Sequence, residues 1–348
     1  MSAVILTTVG TSLLNNSQRI NLTLDQEILD YLRQDPKKAS AESNSLSHIW
    51  QAGDEIVLLH SATPEGRKAA DLLRQYWEQK GAPCEKVEID GLAYEAQGFV
   101  DYGLKQFVQT LAGEIRKARR KGKEVIINAT GGFKAEIAYA TALGLIFKVP
   151  VYYIHEKFQE VVKLPPSPFG WDSEILQQNE DFFNWIDAEL RPRAEVESWV
   201  KSLVYQQEVR LLLENTPDGY TVLSPLGQAY LEAFRYELDQ AKNVPIYFSK
   251  KAKQTWDNFD PSTKKNYRRL LDRLRLPNRT SRSELKSGGG DALAYPKGHV
   301  DERVFYAEKD GKLYVFALTR HGPEYEKMCQ EGFCWRDYPQ QSFTLWED

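Results

Sequence analysis

Within the first 154 residues, five short β-branched or aliphatic runs alternate with longer stretches of helical period, and few architectures accept that rhythm. The runs are Ala3–Thr8, Glu55–His60, Cys84–Ile89, Glu124–Asn128 and Pro150–Ile154, the right length for buried strands. Between them, Pro64–Gln79, Phe99–Lys121 and Gly132–Phe147 read as helices. In the second, Phe99, Gly103, Phe107, Leu111 and Ile115 recur every fourth residue, so one face is buried. Strands alternating with helices imply right-handed crossovers and a doubly wound α/β domain on a parallel sheet. Glu85 and Glu88 alternate along Cys84–Ile89, which places that strand near an edge. Gln34–Ser47 is polar and poor in apolar residues, and is expected to be a mobile loop after the first helix.

The proline-rich Leu164–Trp171 ends the alternation. Helical stretches are expected over Asp172–Arg191 and Val196–Glu214, then a short strand at Tyr220–Leu223. A further helix follows over Ser224–Leu238, with Ser224 as N-cap and Pro225 in its first turn. This connector reads either as winged-helix-like or as a plain helical unit. A third style begins at Pro245–Ser249, a strand, followed by helices through Trp256 and over Ser262–Arg275. Arg303–Glu308 and Lys312–Thr319 flank Asp310-Gly311, a strong hairpin signal. The expected domains are therefore residues 1–195, 196–243 and an α+β domain over 244–348.

The net charge of −4 hides an asymmetry. Val244–Asp348 holds 19 Lys and Arg against 15 Asp and Glu, whereas the rest holds 26 against 34. A basic third on an acidic body suggests a local contact with a polyanion. Cys84, Cys329 and Cys334 have no zinc-ligand spacing, so neither a metal nor a disulfide framework is expected. No apolar run approaches the ~20 residues of a membrane span, and Val4-Ile5-Leu6 is too short for a signal peptide. A cytoplasmic protein without membrane contact is the expectation.

Two loops carry the first chemistry. Thr7-Thr8-Val9-Gly10-Thr11-Ser12 leaves the first strand and enters a helix; Asn128-Ala129-Thr130-Gly131-Gly132-Phe133-Lys134 does the same after the fourth. In an open parallel sheet, ligands gather at the carboxyl ends of strands, where glycines admit a backbone approach and helix N-termini offer N–H groups. A bulky side chain at Gly131 or Gly132 would block that approach or demand a positive φ. Neither G-x-G-x-x-G nor a Walker lysine is present, which disfavours a dinucleotide or an NTP.

These two segments closely resemble the signature loops of the CARF family, Rossmann-like sensor domains of type III CRISPR systems that bind cyclic oligoadenylates. The resemblance covers about residues 1–165. It implies a homodimer with the ligand on its two-fold axis, cyclic tetra-adenylate as the commonest allosteric ligand, and no other cofactor. It assigns ligand contacts to Gly10, Thr11, Ser12, Asn128, Thr130, Gly131, Gly132 and Lys134. Some CARF domains also cleave their ring with a serine and a lysine at the positions of Ser12 and Lys134, which leaves slow ring nuclease activity open.

Phe248–Leu274 and Glu302–Lys327 resemble the RelE superfamily of ribosome-dependent mRNA interferases in the order of their elements. That likeness implies metal-free attack of a 2′-hydroxyl on the adjacent phosphate, with a base, a phosphorane-stabilising cation and an acid. Arg303, Arg320, His321 and Tyr325 fall at the family's positions, and Lys297 and His299 lie in the strand region that carries its lysines, out of register. Lys250, Lys251, Lys253, Lys264, Lys265, Arg268 and Arg269 would grip RNA phosphates. Together the two likenesses imply a ligand-activated endoribonuclease acting on mRNA at the ribosome. The alternative is a ligand-gated transcription regulator, against which Ser224–Leu238 offers only Arg235 beside Glu232 and Glu237. A ring nuclease alone would leave the basic domain without a task.

Overall fold

The computed structural model describes residues 2–92, 102–154, 160–166, 173–298, 301–339 and 342–347. Its contacts divide the chain into two compact units, Met1–Phe234 and Arg235–Asp348.

The first unit opens with strand β1 (Ala3–Val9), buried along its whole length. Four helices follow: α1 (Ser12–Arg19), α2 (Asp25–Gln34), α3 (Pro36–Ala39) and α4 (Ala41–Ile49). Then come β2 (Glu55–Ser61), α5 (Pro64–Gln79), β3 (Cys84–Ile89), α6 (Leu104–Arg120), β4 (Glu124–Asn128), α7 (Lys134–Ile146), β5 (Val151–Ile154) and β6 (Val161–Leu164). The sheet order is β3-β2-β1-β4-β5-β6, parallel except for the antiparallel edge strand β6. From β1 the chain winds outward to β2 and β3, then returns to β4 on the other side. That reversal opens a crevice beyond the carboxyl ends of β1 and β4. Ile5, Ile56 and Leu58 face a core shared with α1, α2, α4 and α5. Val4, Leu6, Val57 and Leu59 are buried as well, so both faces are covered, as a parallel sheet requires.

The expected loop at Gln34–Ser47 is instead helical over most of its length. Asp35 caps α3 by accepting from Lys38 N–H, and Ser40 caps α4 by accepting from Ser43 N–H. Ser40, Glu42, Ser43 and Ser45 are buried there beside Ala39 and Leu46. Ser40 donates to the Glu42 carboxylate and Ser45 to the Glu42 carbonyl, so these polar residues can be packed inside and polarity did not mean exposure.

Beyond β6 lie α8 (Glu174–Gln178), α9 (Glu180–Ala188), β7 (Arg191–Pro192), α10 (Arg193–Val200), α11 (Gln206–Leu211), β8 (Leu213–Asn215) and β9 (Tyr220–Leu223). The long helix expected over Val196–Glu214 is thus two short helices and a strand, broken where Tyr205 takes a left-handed φ of 60°. The small sheet runs β7-β9-β8. Helix α12 (Pro225–Ala241) starts as expected, with Ser224 Oγ accepting from Gly227 N–H at 3.0 Å. Arg116 of α6 pairs with the nearly buried Glu232 of α12 at 2.5 Å.

The second unit contains β10 (Ile246–Ser249), α13 (Lys250–Asp257), α14 (Pro261–Leu274), β11 (Leu293–Tyr295), β12 (Glu302–Lys309), β13 (Lys312–Arg320), α15 (Pro323–Glu331) and β14 (Phe343–Leu345). Its sheet order is β11-β12-β13-β10-β14, with β10 parallel to β13 and the other neighbours antiparallel. Asp310 (φ 52°) and Gly311 (φ 69°) form the two-residue turn between β12 and β13. Ser249 and Asp260 cap α13 and α14. On one side of the sheet, Trp256, Tyr267, Leu271 and Leu274 pack on Phe248, Val304, Tyr306 and Val315. On the other, Tyr325 and Met328 of α15 pack with Phe305, Phe316 and Phe333. Among the described residues no helix is long and apolar enough to cross a membrane.

Candidate functional site

The register pairs Thr7 of β1 with Asn128 of β4, so both glycine loops leave the sheet side by side. Thr8 ties them: its hydroxyl donates to Gly131 O at 2.6 Å. A Cβ on Gly10 would lie 2.6 Å from Gly132 N, so the loops touch through two glycines. Gly132 has a φ of 88° and needs to be glycine for its backbone alone. Gly131 is different: a Cβ there would fall on Glu42 Oε1 and stand 2.6 Å from Thr8 O. Its smallness serves packing inside the protein, not only the approach of a ligand.

Glu42 is the site residue that the sequence reading missed. It is fully buried, and its Oε1 accepts from Gly10 N–H at 2.8 Å. Its Oε2 accepts from the hydroxyls of Ser12 (2.8 Å) and Ser40 (2.6 Å). No pattern near Glu42 marks it; only the fold of α3 and α4 brings it beneath the first loop.

In the second loop, Thr130 donates to Asn128 Oδ1 at 2.8 Å and accepts from Ile154 N–H at 3.2 Å. Asn128 is fully buried, and its Nδ2 finds no partner among the described residues. Lys134 opens α7, exposed and unengaged by the described residues. Glu136, one turn in, accepts from Phe133 N–H at 3.2 Å. Burial pushes its carboxyl up to about 8, against the pull of that amide, so it is neutral at pH 7. Thr11 and Lys134 are exposed and Gly10, Ser12, Thr130 and Gly132 partly so, while Asn128 and Gly131 are buried. Among the described residues the crevice therefore presents glycine backbone, a helix N-terminus and the exposed Lys134, a combination suited to an anion.

In the second unit, Arg303 is only 2% exposed, its guanidinium donating to the carbonyls of Glu302 and Gly298. It lies 5.6 Å over the ring of Tyr325, which is itself buried. His321 is exposed, its ring 5.2 Å from that of Tyr325. Lys286, also missed in the sequence, approaches the same ring at 5.3 Å. Burial works against its charge, but hydrogen bonds with Glu284 and Tyr325 outweigh this and hold the ammonium above its usual range. Arg320 lies apart from this group; it is exposed at the end of β13 and donates to Thr263 Oγ1 at 2.9 Å. Lys297 is exposed, and His299 lies outside the described residues. So the fold gathers Arg303, His321, Tyr325 and Lys286, and leaves Arg320 on the α14 side.

Of the basic residues on the helical hairpin, Lys250, Lys251, Lys253, Lys265 and Arg268 are exposed, and Lys264 and Arg269 are partly so. Among the described residues Lys251 and Lys253 have only long pairs, 3.8 Å to Glu324 and 3.5 Å to Asp257.

Residues 37–167 match the family model of a CRISPR-associated protein (Cas_APE2256). The match includes Glu42 and the second loop. Among solved structures, the chain is similar to Enterococcus italicus Csm6 bound to cyclic hexa-2′-fluoro-hexa-dAMP, at 13% identity and a TM-score of 0.31, over 61% of this chain and 52% of that one. The chain thus spans about half the length of that protein. It is also similar to Can2 from Sulfobacillus thermosulfidooxidans in complex with cyclic tetra-adenylate (12% identity, TM-score 0.26, 94% of this chain and 83% of that one). A third similar structure is VC1899 from Vibrio cholerae (8%, 0.29, 90% and 79%).

Proposed function

We propose that this protein is a cyclic-oligoadenylate-activated ribonuclease of type III CRISPR defence. The observation that carries the reading is the CRISPR-associated family match over residues 37–167, which falls on the unit whose two glycine loops meet beyond the carboxyl ends of β1 and β4. A homodimer would place two such crevices about one axis, which suits a ring of four nucleotides with its own near two-fold symmetry. Lys134 and the α7 N-terminus would meet phosphate. Ser12 and Lys134 would also be the residues of any slow ring cleavage.

For the effector, the reading is a RelE-like mRNA interferase. The strand–helix–helix–three-strand order with β10 parallel to β13 supports it, as do the exposed cations of α13 and α14. In that chemistry a 2′-oxygen attacks the adjacent phosphorus, its proton passes to a base, and the departing 5′-oxygen gains one, without a metal. Arg320, His321 and Lys297 are the exposed candidates to meet RNA; Arg303 and Tyr325, being buried, would act by holding His321 and Lys286. The ribosome would hold mRNA with its 2′-oxygen in line, positioning worth several kcal/mol.

The transcription-regulator alternative draws support from the helix–strand–helix–helix–strand–strand order from α9 to β9, which is that of a winged helix. Its short α11, however, spends Arg210 on Glu197. The experiment that separates the two is incubation with translating ribosomes, with and without cyclic tetra-adenylate, and mapping of mRNA ends. Cleavage is expected only with both present. Ligand-dependent cutting of naked RNA would remove the ribosome from the reading, and specific duplex DNA binding without cleavage would favour the regulator.

A further inference from the structure

The Ser12 hydroxyl has one proton and two lone pairs, and the structure accounts for all but one of them. The Ala41 N–H points at Ser12 Oγ at 3.1 Å and, being an amide, can only donate, so one lone pair is taken. Glu42 Oε2 stands 2.8 Å away and takes the proton. That Glu42 is the acceptor follows from its other partners. Gly10 N–H can only donate, and does so to Oε1. The Ser40 hydroxyl takes Ser43 N–H on one lone pair and donates its proton to Oε2 at 2.6 Å. Gly10 N–H on Oε1 and the Ser40 hydroxyl on Oε2 make this fully buried carboxyl group an acceptor at both oxygens, and the Ser12 proton points to it as well. The remaining Ser12 lone pair belongs to a partly exposed residue at the first turn of α1.

We infer that Ser12 offers the bound nucleotide a hydrogen-bond acceptor, not a donor, and that Glu42 is the positioning residue that fixes it so. Resting on the cyclic-oligoadenylate reading, this assigns Ser12 to a donor group of the ligand, a ribose hydroxyl or an adenine amine. The phosphates are left to Lys134 and backbone N–H groups. A carboxylate beneath the loop suits this division, since Ser12 turned toward a phosphate as an acceptor would repel it.

The test is calorimetry on the full chain with three rings: cyclic tetra-adenylate, its 2′-deoxy counterpart, and a ring with inosine in place of adenosine. Wild type is expected to bind one modified ring roughly fivefold or more weakly, and which one it is identifies the donor. Ser12→Ala should bind the parent and that ring within about twofold of each other, having lost the acceptor. Glu42→Gln keeps the shape and an acceptor for Gly10, but its amide donates toward Ser12 and frees the serine proton. That variant should lose the discrimination, and its intact fold is checked by its thermal melt. Equal binding of all three rings by wild type would overturn the inference and leave the ligand reading standing. Discrimination that persists in Ser12→Ala would overturn it too. Failure of wild type to bind any of the rings would remove the ligand reading and this inference with it.

Discussion

In residues 40–45 most polar side chains turn inward: Ser40, Glu42, Ser43 and Ser45 are buried, and the Glu42 carboxylate is closed off by Gly10, Ser12 and Ser40. In the helical hairpin of α13 and α14 they turn outward. There Lys250, Lys251, Lys253 and Lys265 meet solvent, while Ala252, Trp256, Tyr267 and Leu271 fill the core. The two pieces differ in what stands within reach. A carboxylate with three short donors around it is satisfied without water, whereas a lysine ammonium on a four-carbon stem finds its partners in solvent. Acids lie beneath the loops where an anion is proposed to bind, and they are tolerated there because one is saturated with donors and the other, Glu136, is uncharged at neutral pH.

The sharpest way to break this contrast is to remove the buried acid. Glu42→Ala leaves Gly10 N–H and two serine hydroxyls facing a cavity, and is expected to destabilise the protein by roughly 3–5 kcal/mol. Urea unfolding that shows a loss below about 0.5 kcal/mol, the size of an ordinary surface change, would mean that Glu42 is not what joins the loops. The same reasoning predicts that Gly131→Ala is destabilising in the absence of ligand, because its Cβ meets Glu42 and Thr8 O. Loss of ligand response in a Gly131 variant is therefore no proof of contact with the ligand.

How far the fold was legible follows from the same contrast. The bounds of Pro64–Gln79, Cys84–Ile89 and Glu124–Asn128 were legible because the local pattern of each segment marks them. Asp310-Gly311 was legible because a primed turn needs two positive φ values. The hairpin helices were legible from Tyr267, Leu270, Leu271 and Leu274 on one face. The helices α3 and α4 were not, since their burial rests on hydrogen bonds between residues distant in sequence, such as Ser12 and Glu42. Glu42 and Lys286 were invisible for that reason, and Arg303 was legible in its strand but not in its burial.

Glu136 sharpens the comparison through pH. Its carboxyl is held up to about 8 by burial, against 4.5 in the unfolded chain. Between those values the folded protein keeps a proton that the unfolded chain has released, so stability falls as pH rises and levels off above about 8. From pH 6 to 8 this contribution is roughly 2–3 kcal/mol. Glu136→Gln, which keeps an acceptor for Phe133 N–H, should remove that slope. Parallel stability profiles for the two proteins would show that the carboxyl is ionised where it stands.

Lys134 is the exposed cation of the same loop, and removing it probes the ligand without touching the buried acids. Lys134→Ala should weaken cyclic tetra-adenylate by roughly 1.5–3 kcal/mol, one to two orders of magnitude in affinity. The unfolding free energy should stay within about 0.5 kcal/mol of wild type. Unchanged affinity in calorimetry would deny Lys134 a phosphate contact.

The smallest expected effect on stability is also the one that most directly opposes Glu42. Lys250, Lys251 and Lys253 lie on the exposed side of α13, and their nearest carboxylates are at 3.5 Å or beyond. Exposed pairs of that kind are worth ~0–1 kcal/mol, because water screens them and two long side chains must be ordered to form them. Replacing all three with Gln should therefore leave unfolding within about 0.5 kcal/mol of wild type, while Ser249 still caps the helix and Trp256 still packs beneath it. The same variant should bind RNA more weakly and with a shallower dependence on salt, since fewer counterions are released when three phosphate contacts are lost. Filter binding across a salt series reads both quantities. An unchanged slope would mean that this face of α13 does not meet nucleic acid, and a large loss of stability would mean that its charges are held by the fold, as Glu42 is, and not by solvent.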